Sequence, residues 1–64
     1  MNKHLPWYSY AEYKFLCRNF IHMEEYAVLA ECIDDDKSKF HPGIIMELCD
    51  IMDQRYDKLY NNQF

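Results

Sequence analysis

Five side chains of the types that bind metal or attack carbonyls stand out: Cys17, His22, Cys32, His41 and Cys49. A structural zinc site needs closely paired ligands, such as C-x₂₋₄-C or H-x₃₋₅-H. Here Cys17 and His22 lie five residues apart, the remaining candidates are distant, and no pair has that spacing. No metal is therefore expected. Cysteine catalysis needs a thiol, a histidine and an orienting group that converge in a cleft. The residue types are present, but so short a helical chain offers little to enclose them. Glu24 and Glu25 are adjacent, so on a helix they point about 100° apart and make no acid–base pair. One glycine in the whole chain leaves no material for a phosphate-cradling loop. No catalytic residue, no cofactor and no enzymatic activity are expected.

The chain has 64 residues, which is one small domain. A chain of that size buries only about 60% of the surface it exposes when unfolded. Nucleotide folds and barrels are out of reach. Half of the residues are apolar and 17% are aromatic, far too many for a disordered segment. An odd set of three cysteines without CxxC spacing fits reduced thiols better than a disulfide framework. No run is long and apolar enough for a membrane span. The opening MNKHLPWYSY has no apolar core or small-residue cleavage site, so no secretory signal is expected. The expected location is the cytoplasm.

The net charge is −4, which argues against direct nucleic-acid binding, since unaided DNA-binders are normally basic. The charge is also uneven. Residues 23–36 hold Glu24, Glu25, Glu31, Asp34, Asp35 and Asp36 with no Lys or Arg. Farther on, Glu47, Asp50, Asp53 and Asp57 are spaced +3, +3, +4 and form an acidic helix edge. The plainer reading of both is a solvated, soluble face. The sharper reading is a surface that meets a basic partner. The second unusual feature is Leu5-Pro6-Trp7-Tyr8-Ser9-Tyr10. It either folds back over the core or leaves Trp7 and Tyr10 as interface anchors. Candidate partner-binding residues are thus Glu24, Glu25, Asp50, Asp53, Asp57, Trp7 and Tyr10. Lys37 and Lys39 read as loop residues whose neutral replacement should have little effect on partner binding.

The elements that must position these residues all read as helix. Ser9 and Glu12 have capping-box spacing, so a first helix, or a pair of helices, should cover residues 10–33. Tyr13, Leu16, Phe20, Met23, Ala27 and Ala30 recur at 3-4-3-4-3 spacing, and Tyr26, Leu29 and Ile33 widen that stripe with a rotation. A bend or turn near Asn19–His22 is favoured. The run Asp34-Asp35-Asp36-Lys37-Ser38-Lys39 reads as the start of a loop over residues 34–41. Pro42 suits the first position of a last helix over residues 42–60. Along it, Ile45, Leu48, Cys49, Met52, Tyr56 and Leu59 face one side. The expected fold is all-α, a small helical hairpin or three-helix unit.

The order of these features resembles the Hha/YmoA family, small helical cytoplasmic proteins that modulate the nucleoid protein H-NS. Glu12-Tyr13 with Arg18 is similar to that family's opening Asp-Tyr and basic residues. Met23-Glu24-Glu25-Tyr26 with Leu29 resembles its second helix, and Asp53-Gln54-Arg55 with Leu59 resembles the end of its third. The matching blocks span about residues 12–59. Gln54 stands where the family has His, Ile51-Met52 where it has two Ala, and Lys58 where it has Glu. The family's Trp-containing tail has no counterpart. The resemblance implies docking onto the oligomerisation region of an H-NS-like protein, with Glu24 and Asp53 as acidic contacts.

The leading expectation is a non-catalytic interaction module that binds and modulates a larger, basic or nucleic-acid-binding protein. The alternative is an inhibitor encoded by a phage or other mobile element, which presents carboxylates as a DNA mimic to a host nucleic-acid enzyme or repressor. A third class is a self-associating helical subunit, such as a homodimer.

Overall fold

The computed structural model of the protein describes residues 5–60. Three α-helices follow in order, α1 (Tyr10–Asn19), α2 (Met23–Asp36) and α3 (Pro42–Tyr60), with a single 3₁₀ turn at Lys37–Lys39 before α3. The protein is all-α, a three-helix unit, with no strand among the described residues.

Each helix end has a local cause. Ser9 takes an extended backbone, its hydroxyl accepts from the Glu12 N–H at 3.2 Å, and Glu12 accepts from the Ser9 N–H at 2.9 Å. That reciprocal pair satisfies two otherwise orphaned donors and starts α1 at Tyr10. Phe20 and His22 are both extended, which separates α1 from α2 inside the anticipated Asn19–His22 region. His22 supplies no side-chain cap. Instead Glu25 reaches back and accepts from the Ile21 N–H at 2.9 Å. Glu24 and Glu25 occupy the first turn of α2, where carboxylates complement the positive end of the helix dipole. Pro42 opens α3, and the Gly43 N–H donates to His41 Nδ1 at 2.9 Å. A methyl group on Gly43 would sit 3.2 Å from that ring nitrogen, a tight approach that a shift of the His41 ring by a few tenths of an ångström would relieve.

The expected loop from residue 34 is corrected: α2 continues through Asp34, Asp35 and Asp36. Three carboxylates at a helix C-terminus oppose the dipole, and α2 has no basic residue in its last turn. The conflict is relieved just downstream. Lys37 pairs with Asp34 at 3.1 Å, Lys39 pairs with Asp36 at 3.3 Å, and the Asp36 carboxylate turns inward. Lys39 therefore partners a buried carboxylate.

The core consists of Tyr13, Cys17 and Phe20 from α1 and its end, Leu29 and Ile33 from α2, and Leu48 and Met52 from α3. The rotated stripe Tyr26, Leu29, Ile33 is the one that packs, whereas Met23 and Ala27 face outward. The three non-helical residues between α1 and α2 reset the helical phase, so a stripe counted straight through them drifts off the core.

Polar contacts fix the helix directions. Tyr10 meets Glu47 and Arg55 meets the Phe20 carbonyl, so α1 and α3 run in the same sense. Tyr26 meets Asp53 and Tyr60 meets the Ile21 carbonyl, so α2 runs opposite to α3. The Arg55 guanidinium also places a cation at the C-terminal end of α1, which favours that helix dipole.

Candidate functional site

Two features of the chain converge on the end of α2. The segment before α1 lies back against the helices, with the Trp7 N–H donating to Asp36 Oδ2 at 2.7 Å. The Trp7 indole N–H reaches Asp35 at 3.4 Å, while the residue stays 63% exposed. Tyr8 stacks edge-on against Tyr13 with centroids 5.2 Å apart. The Tyr13 hydroxyl donates to the same Asp36 oxygen at 2.6 Å, and Lys39 holds the other oxygen at 3.3 Å. Burial pushes the Asp36 carboxyl up, but the Tyr13, Trp7 and Lys39 donors outweigh it and hold it below its ordinary value. The Tyr13 hydroxyl is driven far up by burial and by the adjacent carboxylate.

The candidate partner-binding residues fall into separate places. Glu24 and Glu25 are exposed and line a cleft between α1 and α2. Asp50 is exposed on a different groove, between α1 and α3, beside Lys14 and Arg18. Asp53 accepts the Tyr26 hydroxyl at 3.0 Å, which raises the Tyr26 pKa, chiefly through that hydrogen bond. Asp57 is exposed on α3. Glu24 and Glu25 thus line one groove and Asp50 another, while the contact with Tyr26 brings Asp53 against the first part of α2. Tyr10 is half-buried and spends its hydroxyl on Glu47 at 2.8 Å, with Lys14 3.4 Å from the other Glu47 oxygen. The Tyr10 hydroxyl, aided by Lys14, holds the Glu47 carboxyl below its usual range. Of the two candidate aromatics, Trp7 is the one that stays open to solvent.

The cleft between α1 and α2 encloses about 450 Å³. Phe15, Leu16 and Phe20 form one wall, Val28 and Leu29 the other, and Tyr8 closes one side. Phe15 is 64% exposed and Val28 55%. The ionisable groups at its edge are the two carboxylates and Tyr8, with no cation among the lining residues. Sequence reasoning passed over Phe15 and Val28 because neither lies on the packed stripe. Their signal was that both are large and apolar yet off that stripe.

The thiols show no sign of activation. Burial pushes Cys17 up to about 12. Burial and then nearby carboxylates also raise Cys32 and Cys49, and a thiol held protonated is a poor nucleophile and metal ligand. Among the described residues no group of three or more His, Cys, Asp or Glu side chains is arranged to hold a metal ion. No described helix is long and apolar enough to cross a membrane. What the arrangement can do is present an acidic, partly apolar surface to another macromolecule. No protein-family model, curated protein or solved structure matches the chain.

Proposed function

We propose that this protein is a non-catalytic interaction module that binds and modulates a larger, basic or nucleic-acid-binding protein, in the manner of the H-NS co-regulators its sequence resembles. One observation carries the reading: α2 exposes Glu24, Glu25, Glu31, Asp34 and Asp35, contains no Lys or Arg, and bears exposed Val28 among them. Carboxylates steer a basic partner toward the surface and set its register. An exposed apolar patch inside that field supplies the desolvated contact that charge alone does not.

The DNA-mimic alternative draws on the same run of carboxylates. A phosphate-backbone mimic works through charge, however, and exposed Phe15 and Val28 add nothing to it. They favour a protein–protein contact. The two readings separate by competition. Capture of the partner from cells that make this protein, followed by calorimetry with and without duplex DNA, is the test. A co-regulator binds its partner alongside DNA. Displacement by DNA would establish the mimic, and a partner that is acidic and binds no nucleic acid would overturn both.

A further inference from the structure

We propose that the cleft between α1 and α2 receives an amphipathic helix from a partner protein, with apolar side chains laid against Phe15 and Val28 and Lys or Arg set against Glu24 and Glu25. This deepens the docking reading above and rests on it.

Three observations point to that occupant. The cleft volume of about 450 Å³ lies within the ~300–1,000 Å³ of ordinary binding pockets. The cleft is lined chiefly by residues of two helices, with Phe15 and Val28 open to solvent. An apolar cleft of that kind suits the helix-in-groove mode, in which residues at i, i+3, i+4 and i+7 enter side by side. The second observation is exposure. Phe15 at 64% and Val28 at 55% are exposed on opposite walls of the cleft, beside the buried Phe20 and Leu29 of the same walls. A contiguous apolar surface of this kind, edged by polar groups, is characteristic of an interaction site.

Charge is the third, and it selects the partner. The cleft edge carries Glu24 and Glu25 and no cation, and these acids continue into Glu31, Asp34 and Asp35 along α2. A docked helix with Lys or Arg beside its apolar face finds complementary charge at the edge, whereas an acidic helix is repelled. A second copy of the chain fits less well. Its outward apolar residue on α3, Met46, is followed by Glu47 and stands four residues before Asp50, so docking α3 there would set carboxylate against carboxylate. Of the two cations beside the α1–α3 groove, Lys14 is engaged by Glu47 at 3.4 Å and Arg18 also acts on the Glu47 charge.

The test uses the full chain, labelled with ¹⁵N, titrated with a synthetic amphipathic peptide of about fifteen Leu and Lys residues with Leu at helical spacing. A scrambled peptide of identical composition is the control. Saturable amide shifts confined to Phe15, Asn19, Glu24, Val28 and their neighbours are expected, with much weaker binding of the scrambled peptide. Val28→Arg should weaken the amphipathic peptide about tenfold or more. Glu24→Gln with Glu25→Gln should weaken it at low salt and flatten its salt dependence. Both changes are at exposed positions, and the carboxamide introduced by Glu25→Gln retains an acceptor for the Ile21 N–H, so circular dichroism should remain that of the wild type. Met46→Arg, in the other groove, should leave binding unchanged.

Absence of saturable binding, equal binding of the scrambled peptide, or shifts centred on the α1–α3 groove would overturn the proposal. So would a concentration-dependent dimer that protects the same amides without peptide. The two readings fail separately. If the captured partner binds but Val28→Arg leaves its affinity intact, the cleft assignment fails alone. If the peptide occupies the cleft but the captured partner is neither basic nor nucleic-acid-binding, the functional reading fails alone.

Discussion

Tyr13 and Asp36, separated by 23 residues, are joined by a buried hydroxyl–carboxylate hydrogen bond of 2.6 Å. The same carboxylate oxygen accepts the Trp7 N–H at 2.7 Å. One side chain thereby ties the leading segment, α1 and the end of α2 together. It also sets Tyr8 against Tyr13 and so shapes one side of the α1–α2 cleft. The acidic run that looks like surface from its composition has one member turned to a structural use.

Removing that tie should destabilise the protein in a graded way. Asp36→Ala strips the partner from a buried phenol and from a backbone N–H, and should cost roughly 2–3 kcal/mol, as expected for hydrogen bonds to a charged group. Tyr13→Phe leaves Asp36 its Trp7 and Lys39 donors and should cost about 1 kcal/mol. Urea denaturation of the two variants checks the order. Equal, negligible losses would show that the Asp36 cluster contributes nothing.

Stability should also fall in acid. The Asp36 carboxyl sits below its ordinary value of 3.8 in the folded protein. Its contribution is therefore complete above that value and is lost as pH falls through the folded pKa. Tyr13 acts at the other end, because its folded pKa lies above the ordinary 10.0. Its contribution is present below that value and is lost as pH rises past it. A plateau between about pH 5 and 9 is expected, with Asp36→Asn flattening the acid limb. Urea midpoints measured across pH would show this, and an unchanged acid limb in Asp36→Asn would contradict it.

Much of this fold was readable from the chain. The Ser9/Glu12 pair announced the start of α1, Pro42 the start of α3, and Asn19–His22 the break, because each signal is local. The end of α2 was not readable. Asp34-Asp35-Asp36 has the composition of a loop, and what keeps it helical is a set of contacts to Lys37, Lys39, Tyr13 and Trp7. Two of those partners lie 23 and 29 residues away, and no spacing rule reaches so far. The cleft escaped for a similar reason. Phe15 and Val28 are on different helices, and only the phase shift at residues 20–22 brings their faces together.

Core packing provides a simpler check. Leu48 is fully buried and Phe20 is 4% exposed. Replacement of either by Ala should cost ~2–5 kcal/mol, comparable with the entire stability of about 5 kcal/mol expected at the low end for small domains. Both variants should be largely unfolded by circular dichroism. Met46→Ala, at a site 68% exposed, should stay within about 0.5 kcal/mol of the wild type. Near wild-type melting of both core variants would contradict the packing described.

Docking through carboxylates is tested most directly by calorimetry of the captured partner at low and physiological salt. Glu24→Gln with Asp53→Asn removes one exposed charge at the cleft and one on α3, where Asn can still accept the Tyr26 hydroxyl. The double variant should bind more weakly than the wild type, with a flatter salt dependence, because opposite charges at an interface act chiefly on association and are screened by salt. Lys37→Gln, which removes only the surface pair with Asp34, should bind as the wild type does. Unchanged binding of the acidic double variant, together with loss of binding in Lys37→Gln, would contradict acidic docking and turn attention to the exposed indole of Trp7.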